Sequence, residues 1–286
     1  MQTILDCFAS LAPKIQELII FGETSYTSHT NQSGDIQLAL DIQSDVFIQE
    51  QLSALPSIKA IFSEEKEDIF TTNPNGKYLV AYDPIDGSSL IGGNLSVGTI
   101  FGIYEESFEG KNLKASGYIL YGPRLEMVVA KDKDSLPLHS RYNPKTKKWD
   151  IQGELTLENQ GNINATGGSQ KFWSKEHKAM VEHFFSLGYR LRYSGGMVPD
   201  LHQILIKKGG IFSYPSTQDH PNGKLRKLFE VFPFAFVFEC AGGEAIDGER
   251  RLLDLPISHS HETSACYFGS KNEIELIKKG FSYARK

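Results

Sequence analysis

Apolar and polar positions alternate with two different periods along this 286-residue chain. Near the start, Ile4, Leu5, Phe8, Leu11, Ile15, Leu18 and Ile19 recur every three or four residues, predicting an amphipathic helix over 3–21 interrupted at Pro13. Residues 22–34 are small and polar and predict a loop. Asp35 then reads as the cap of a helix with an apolar stripe at Leu38, Ile42 and Val46 or Phe47. Asp41 and Asp45 share another face of that helix, one turn apart. Short β-rich runs follow at 58–62, ending in Ser63-Glu64-Glu65, and at 78–82, ending in Asp83-Pro84-Ile85-Asp86. Further strand-like runs occupy 97–104, 115–121 and 126–130, and the charged stretch 131–153 predicts a hairpin at a soft boundary.

In the second half the period lengthens again. Residues 175–187 predict a helix stopped by Gly188, 189–193 a strand, and 197–208 a helix stopped by Gly209-Gly210. A strand at 211–214 precedes a long apolar helix over 224–241, kinked at Pro233 and ended by Gly242-Gly243. After a late strand at 264–268, Ser270 and Glu273 form a capping box for the last helix. Mixed strands and helices without an internal repeat predict a layered α/β or α+β enzyme fold.

Composition narrows the function classes. A net charge of −5 offers no electrostatic footprint for nucleic acid. No apolar run reaches 18 residues, so no membrane span is expected. The N-terminal Met-Gln-Thr-Ile-Leu-Asp-Cys lacks the basic and apolar regions of a secretory leader. Cys7, Cys240 and Cys266 are scattered, which fits reduced thiols and a cytoplasmic protein, or an organellar one whose targeting segment has been removed.

The candidate chemistry centres on residues 77–89. Pro84 lacks an N–H, so it stops the strand ladder and throws Asp83 and Asp86 out past the strand end. Gly87, Ser88 and Ser89 then offer backbone N–H groups to an anion. Two carboxylates beside such amides suit a hard cation together with a phosphate. The plain alternative is two successive turns, since Asp-Pro and Asp-Gly are common turn pairs. Glu64-Glu65 reads either as a further ligand pair or as solvated surface. Glu230 lies in an apolar run, where a carboxylate needs a metal or a partner, and Arg226 or Lys227 stands one turn away. Arg192, Tyr193, Tyr214, Lys224 and Arg226 fall at element ends and could hold phosphate and hydroxyl groups. None of the eight His has metal-ligand spacing; His259 and His261 could share a strand face or lie in a polar loop. No nucleophile-elbow, Walker or dinucleotide motif occurs.

These residues carry a resemblance. Gly34-Asp35, Leu40-Asp41, Ser63-Glu64-Glu65, Asp83 through Ser89, Val97 through Tyr104, Tyr121-Gly122, Gly223 through Arg226 with Glu230, and Ala241-Gly-Gly243 stand in one order over residues 34–270. In that order they resemble the class I sugar bisphosphatases, the fructose-1,6- and sedoheptulose-1,7-bisphosphatases. The resemblance implies a layered α-β-α-β-α fold with two mixed sheets. It implies a metal-binding half at 1–155 and a sugar-phosphate-binding half at 156–286. Hydrolysis of the C1 phosphate of a ketose bisphosphate is the implied activity, with two or more Mg²⁺ ions, or Mn²⁺, as cofactor. An inositol-monophosphatase-like enzyme and a silent phosphosugar-binding protein are the alternatives.

The resemblance also implies roles. Glu64, Glu65, Asp83, the Ile85 carbonyl, Asp86 and Glu230 correspond to metal ligands. Asp41, helped by Asp35 and Glu65, corresponds to the group that orients or deprotonates water. The amides at Gly87, Ser88 and Ser89, with Arg226, correspond to the C1 phosphate cradle. Lys224, Tyr193 and Tyr214 correspond to the groups on the sugar and its distal phosphate, and Arg192 to one reaching in from a neighbouring subunit of a homodimer or homotetramer. The family's asparagine ahead of the 175–187 helix has no clean counterpart around 164–168. The runs 191–200, 121–124 and 269–274 are more similar to sedoheptulose bisphosphatases. A short arm before Gly34 and the absence of paired regulatory cysteines imply neither AMP nor thioredoxin control.

Overall fold

The computed structural model describes residues 1–22, 26–30 and 36–283, without the side chains of 26–30, 36–38 and 281–283; Asp35 lies outside the described residues. Helix α1 (Gln2–Phe21) runs through Pro13 without the expected interruption. Proline at 13 deprives the Ala9 carbonyl of its helical donor. The Trp149 indole N–H donates to that carbonyl instead, at 3.0 Å. Within the expected loop lies a strand, β1 (Tyr26–Thr30), paired antiparallel with β2 (Ile36–Leu38). Leu38 is therefore a strand residue, and α2 (Ala39–Ser53) begins after it. The buried face of α2 is Leu40, Asp41, Ser44, Asp45, Ile48 and Leu52, while Val46 is exposed. A hydrogen bond from the Tyr82 hydroxyl to Asp45 Oδ1 (2.8 Å) and an ion pair from Lys66 to Oδ2 (3.0 Å) make that polar face tolerable inside.

Eight strands follow in a first sheet: β3 (Ile58–Ser63), β4 (Phe70–Thr71), β5 (Tyr78–Asp86), β6 (Val97–Glu105), β7 (Leu113–Tyr121), β8 (Leu125–Ala130), β9 (Leu138–Asn143) and β10 (Lys148–Glu154). Their order is β10-β9-β8-β7-β6-β5-β3-β4, antiparallel except for the β3–β5 pair. The hairpin expected at 131–153 thus extends this sheet. A second, mixed sheet has the order β12-β11-β13-β17-β15. Its strands are β11 (Ile163–Thr166), β12 (Arg190–Leu191), β13 (Ile211–Tyr214), β15 (Glu244–Ile246) and β17 (Cys266–Gly269). Apart from it, β14 (Leu225–Arg226) pairs with β16 (Thr263–Ser264). The remaining helices are α3 (Lys175–Ser186), α4 (Met197–Ile206), α5 (Phe232–Cys240) and α6 (Lys271–Tyr283).

Strand alternation explains the layers. On β5 and β6, Val80, Tyr82, Phe101 and Ile103 face a core with Ile4, Phe8 and Ile15 of α1. Phe8 stacks on Phe101 with ring centroids 4.1 Å apart. Leu79, Ala81, Ile100 and Tyr104 face the opposite core with Leu201 of α4 and Phe234 of α5, which also reaches Phe212 and Phe268 of the second sheet. A third cluster joins Phe184 of α3 to Ile211, Tyr267 and Ile274 of α6. The order helix–sheet–helix–sheet–helix results, and central strands buried on both faces read as continuous apolar runs.

Two other expectations change. Residues 224–241 are not one helix: β14 leads into a π-helical turn (Lys227–Val231) and then α5, with Pro233 at its start. Glu273 does not close a capping box with Ser270. Its Oε1 accepts the Gly161 N–H (2.6 Å) and the Tyr189 hydroxyl (2.9 Å), so tertiary donors capture it.

Candidate metal centre and active site

Strand β5 continues to Asp86 rather than stopping at Pro84. Its pairing with β6 breaks only between Asp83↔Ile100 and Asp86↔Gly98. There the Thr99 hydroxyl donates to the Pro84 carbonyl at 2.7 Å, giving that carbonyl a partner where the ladder is interrupted. The bulge leaves Asp83 and Asp86 buried at the sheet's end. Gly87 then takes φ +79°, which only glycine adopts cheaply, and opens the short 3-10 turn Ser88–Gly93. Ser88 is half-buried and Ser89 exposed there.

Glu230 arrives from the π-helical turn. Its Oε2 accepts the Arg226 backbone N–H at 2.6 Å, which anchors the wide turn. Asp83, Asp86 and Glu230 each bring a carboxylate oxygen within 4.8 Å of the others, all buried. Glu64, at the end of β3, is buried too. Its Oε1 pairs with Arg226 Nη1 at 2.5 Å, whereas that guanidinium stands 3.6 Å from Glu230. The pairing foreseen for Glu230 is thus mainly through Arg226's backbone, and Lys227 turns away to Glu262 at 2.6 Å. Glu64 Oε2 is buried without a hydrogen-bond partner.

So many buried carboxylates repel one another. Burial, then repulsion from Glu64, Asp86 and Glu230, holds the Asp83 pKa well above the usual range. Burial pushes Glu64 up to about 8, with Arg226 opposing and Glu230 and Glu65 assisting. Asp86 is pushed up to about 7 by burial, against the Val198 and Met197 amides. Burial also raises Glu230, with Arg226 opposing. An all-oxygen, charge-strained, buried donor set with an orphaned carboxylate oxygen fits a hard divalent cation.

The amides on Asp86 went unread in the sequence. The Val198 and Met197 N–H groups, at the N-terminus of α4, donate to its carboxylate at 2.7 and 3.3 Å. Gly195-Gly196 ahead of a predicted helix was the available signal. Asp200 was also missed; it accepts the Ser194 N–H at 2.9 Å and so ties down the loop carrying Arg192 and Tyr193.

The remaining predicted residues divide. Asp41 is buried on α2, and Glu65 is half-buried after β3. Ile85 is buried in the bulge. Tyr193 and Tyr214 converge over Gly167, where a Cβ would lie 2.8 Å from the Tyr193 hydroxyl and 2.5 Å from the Tyr214 ring. Burial raises the Tyr193 pKa, followed by Tyr214, Asp200 and Asp86, so Tyr193 lies within electrostatic reach of Asp86. Lys224 is exposed but close enough to stabilise the Glu230 charge. Arg192 is exposed next to edge strand β12 and is not brought to the carboxylates. His259 and His261 lie outside any strand, and His261 Nε2 contacts the Lys66 carbonyl at 2.9 Å.

Known proteins resemble this chain over nearly its whole length. The family models described as the fructose-1,6-bisphosphatase N-terminal and C-terminal domains match residues 2–136 and 157–282. A Helicobacter hepaticus protein named fructose-1,6-bisphosphatase class 1 is 57% identical, over 96% of this chain and 98% of its own. A Campylobacter jejuni protein of the same name is 48% identical, over 99% of this chain and 100% of its own. Among solved structures, Leishmania major fructose-1,6-bisphosphatase in holo form superposes with TM-score 0.91 at 26% identity, covering 98% of this chain and 93% of that one. A Toxoplasma gondii protein described as a candidate sedoheptulose-1,7-bisphosphatase gives TM-score 0.90 at 28% identity, covering 99% and 94%. Both halves of the chain are matched in order and nearly in full, and the chain belongs to the fructose-1,6-bisphosphatase family of phosphatases.

Proposed function

We propose that this chain hydrolyses the C1 phosphate of a ketose bisphosphate, fructose-1,6-bisphosphate foremost, with Mg²⁺ as cofactor. The observation that carries the reading is the buried convergence of Asp83, Asp86 and Glu230 beside the orphaned Glu64 oxygen. Glu64, Glu65, Asp83, the Ile85 carbonyl, Asp86 and Glu230 would hold two or more ions. When bound, they supply Lewis-acid neutralisation of the phosphate charge. Asp41, with Asp35 and Glu65, orients the attacking water and takes its proton. The amides of Gly87, Ser88 and Ser89 and the Arg226 guanidinium receive the C1 phosphate. Tyr193, Tyr214 and Lys224 hold the sugar and its distal phosphate. Arg192, exposed beside an edge strand, serves a neighbouring copy in a homodimer or homotetramer. On this reading residues 1–155 form the metal-binding half and 156–286 the sugar-phosphate half.

Sedoheptulose-1,7-bisphosphate is the second candidate substrate, favoured by the run 191–200 and by the Toxoplasma gondii likeness. One hydroxymethylene separates the sugars, a difference a pocket resolves by about 1–3 kcal/mol. The test is ³¹P NMR of product formation from both bisphosphates, side by side with Mg²⁺. Loss of the C1 phosphate from fructose-1,6-bisphosphate at the higher kcat/KM supports the reading, and a higher value for the seven-carbon sugar reverses the order. Inertness toward both, with hydrolysis of inositol monophosphate, would replace it.

A further inference from the structure

We infer that Glu126, His139 and His202 form a second metal site, of transition-metal type, distinct from the carboxylate centre. Strand β8 supplies Glu126, the adjacent β9 supplies His139, and α4 supplies His202. Glu126 Oε2 lies 3.1 Å from His139 Nε2 and 3.1 Å from His202 Nε2. The three ligand atoms fall within 4.8 Å of one another, and all three residues are buried. Ligands about 2.0–2.2 Å from a tetrahedral Zn²⁺ stand roughly 3.3 Å apart, so these atoms need little movement to close on an ion.

The surroundings orient this set. Glu126 Oε1 accepts from Arg141 Nε at 2.9 Å and pairs with Arg124 Nε at 3.1 Å, which turns Oε2 inward to the imidazoles. His202 Nδ1 is 3.1 Å from the buried Tyr118 hydroxyl, leaving Nε2 as the atom aimed at Glu126. Partners of this kind fix ligand orientation in metal sites. Two nitrogens and one oxygen favour Zn²⁺ or Co²⁺ over Mg²⁺. The two guanidiniums, partly solvent-exposed, repel an arriving dication and lower its affinity. The competing arrangement has both imidazoles donating to Oε2 with no ion between them.

An ion here would tie β8 and β9 to α4. That helix begins with the Met197 and Val198 amides on Asp86, so the second site would brace the cradle of the first. The test adds Co²⁺ and Zn²⁺ to EDTA-stripped full chain, wild type and Asp83→Asn, and to His139→Gln. The glutamine keeps a donor toward Glu126 but cannot replace the imidazole, and circular dichroism checks its fold. Expected are a Co²⁺ visible d–d band and a Zn²⁺-dependent rise in Tm, in both wild type and Asp83→Asn. In His139→Gln the band and the rise are lost, or affinity falls by about tenfold or more. The same spectrum and affinity in His139→Gln, or no Co²⁺ binding by wild type and Asp83→Asn, overturns the assignment.

Discussion

Replacing Asp86 by Asn should stabilise the metal-free protein while destroying its function. Asp86 is buried, and its pKa rises from 3.8 to about 7 despite two amide donors. A raised carboxylate pKa means the folded state resists ionisation, so stability present below the unfolded pKa is lost as pH rises through the folded one. Three pKa units correspond to a ceiling of about 4 kcal/mol at pH 8, and relaxation of the neighbouring carboxylates reduces this to roughly 1–3 kcal/mol. Asparagine never ionises and retains one carbonyl for the Val198 N–H. For a chain of this size the gain should raise Tm by about 2–5 °C in EDTA. The advantage should shrink as pH falls from 7 towards 4 and vanish below it. Saturating Mg²⁺ should reverse the order, because only wild type gains the full binding free energy. Phosphate release should fall by more than the 10–100-fold typical of a lost metal-site support. The assay is paired thermal melts in EDTA and in Mg²⁺ across pH 4–8.5, with turnover measured alongside. An Asn variant less stable than wild type in EDTA at pH 8 would refute the reasoning, because the carboxylate would then be a stabilising structural group.

Other residues give sharper local tests. A Cβ at Gly98 would overlap Val198 Cγ1 and lie 2.6 Å from the Ile119 carbonyl, so Gly98→Ala should cost about 1–3 kcal/mol and displace the Val198 amide from Asp86. Calorimetric titration should then show weakened Mg²⁺ binding, and unchanged binding would remove the amides from the account. Burial lowers the His177 pKa to about 4, so its stabilisation is present above pH 6.5 and lost as pH falls towards 4. His177→Gln melts should accordingly gain on wild type through that window, and a constant difference would contradict the shift. Trp149→Phe should cost about 1 kcal/mol by stranding the Ala9 carbonyl. In a Pro13→Ala background the residue-13 N–H can satisfy Ala9, so the same change should cost less; full additivity would contradict the exchange of donors.

What was legible followed from locality. The Asp83–Ser89 run sits at one strand end, and its carboxylates, proline and glycine act within a few residues of each other. Glu230 betrayed itself as a carboxylate in an apolar stretch. Illegible features were those decided by distant partners. Pro84 does interrupt the ladder, yet pairing resumes at Asp86↔Gly98 while Thr99 from the next strand satisfies the Pro84 carbonyl, so the strand runs on. The turn at Lys227–Val231 is wide because Glu230 reaches back to the Arg226 amide, and propensity alone reads that segment as helix. Glu273 carries a capping-box spacing but is claimed by Gly161 and Tyr189. Spacing along the chain likewise hides Glu126, His139 and His202, because only the β8–β9 pairing and the α4 crossing bring them together.

The most direct test of the central claim is a Mg²⁺ titration of EDTA-stripped protein with fructose-1,6-bisphosphate, following phosphate release in wild type and Asp83→Asn. The account predicts saturable activation of wild type from a negligible metal-free rate and no activation of the variant. Turnover undiminished in EDTA, or Mg²⁺ activation of Asp83→Asn equal to wild type, would contradict it.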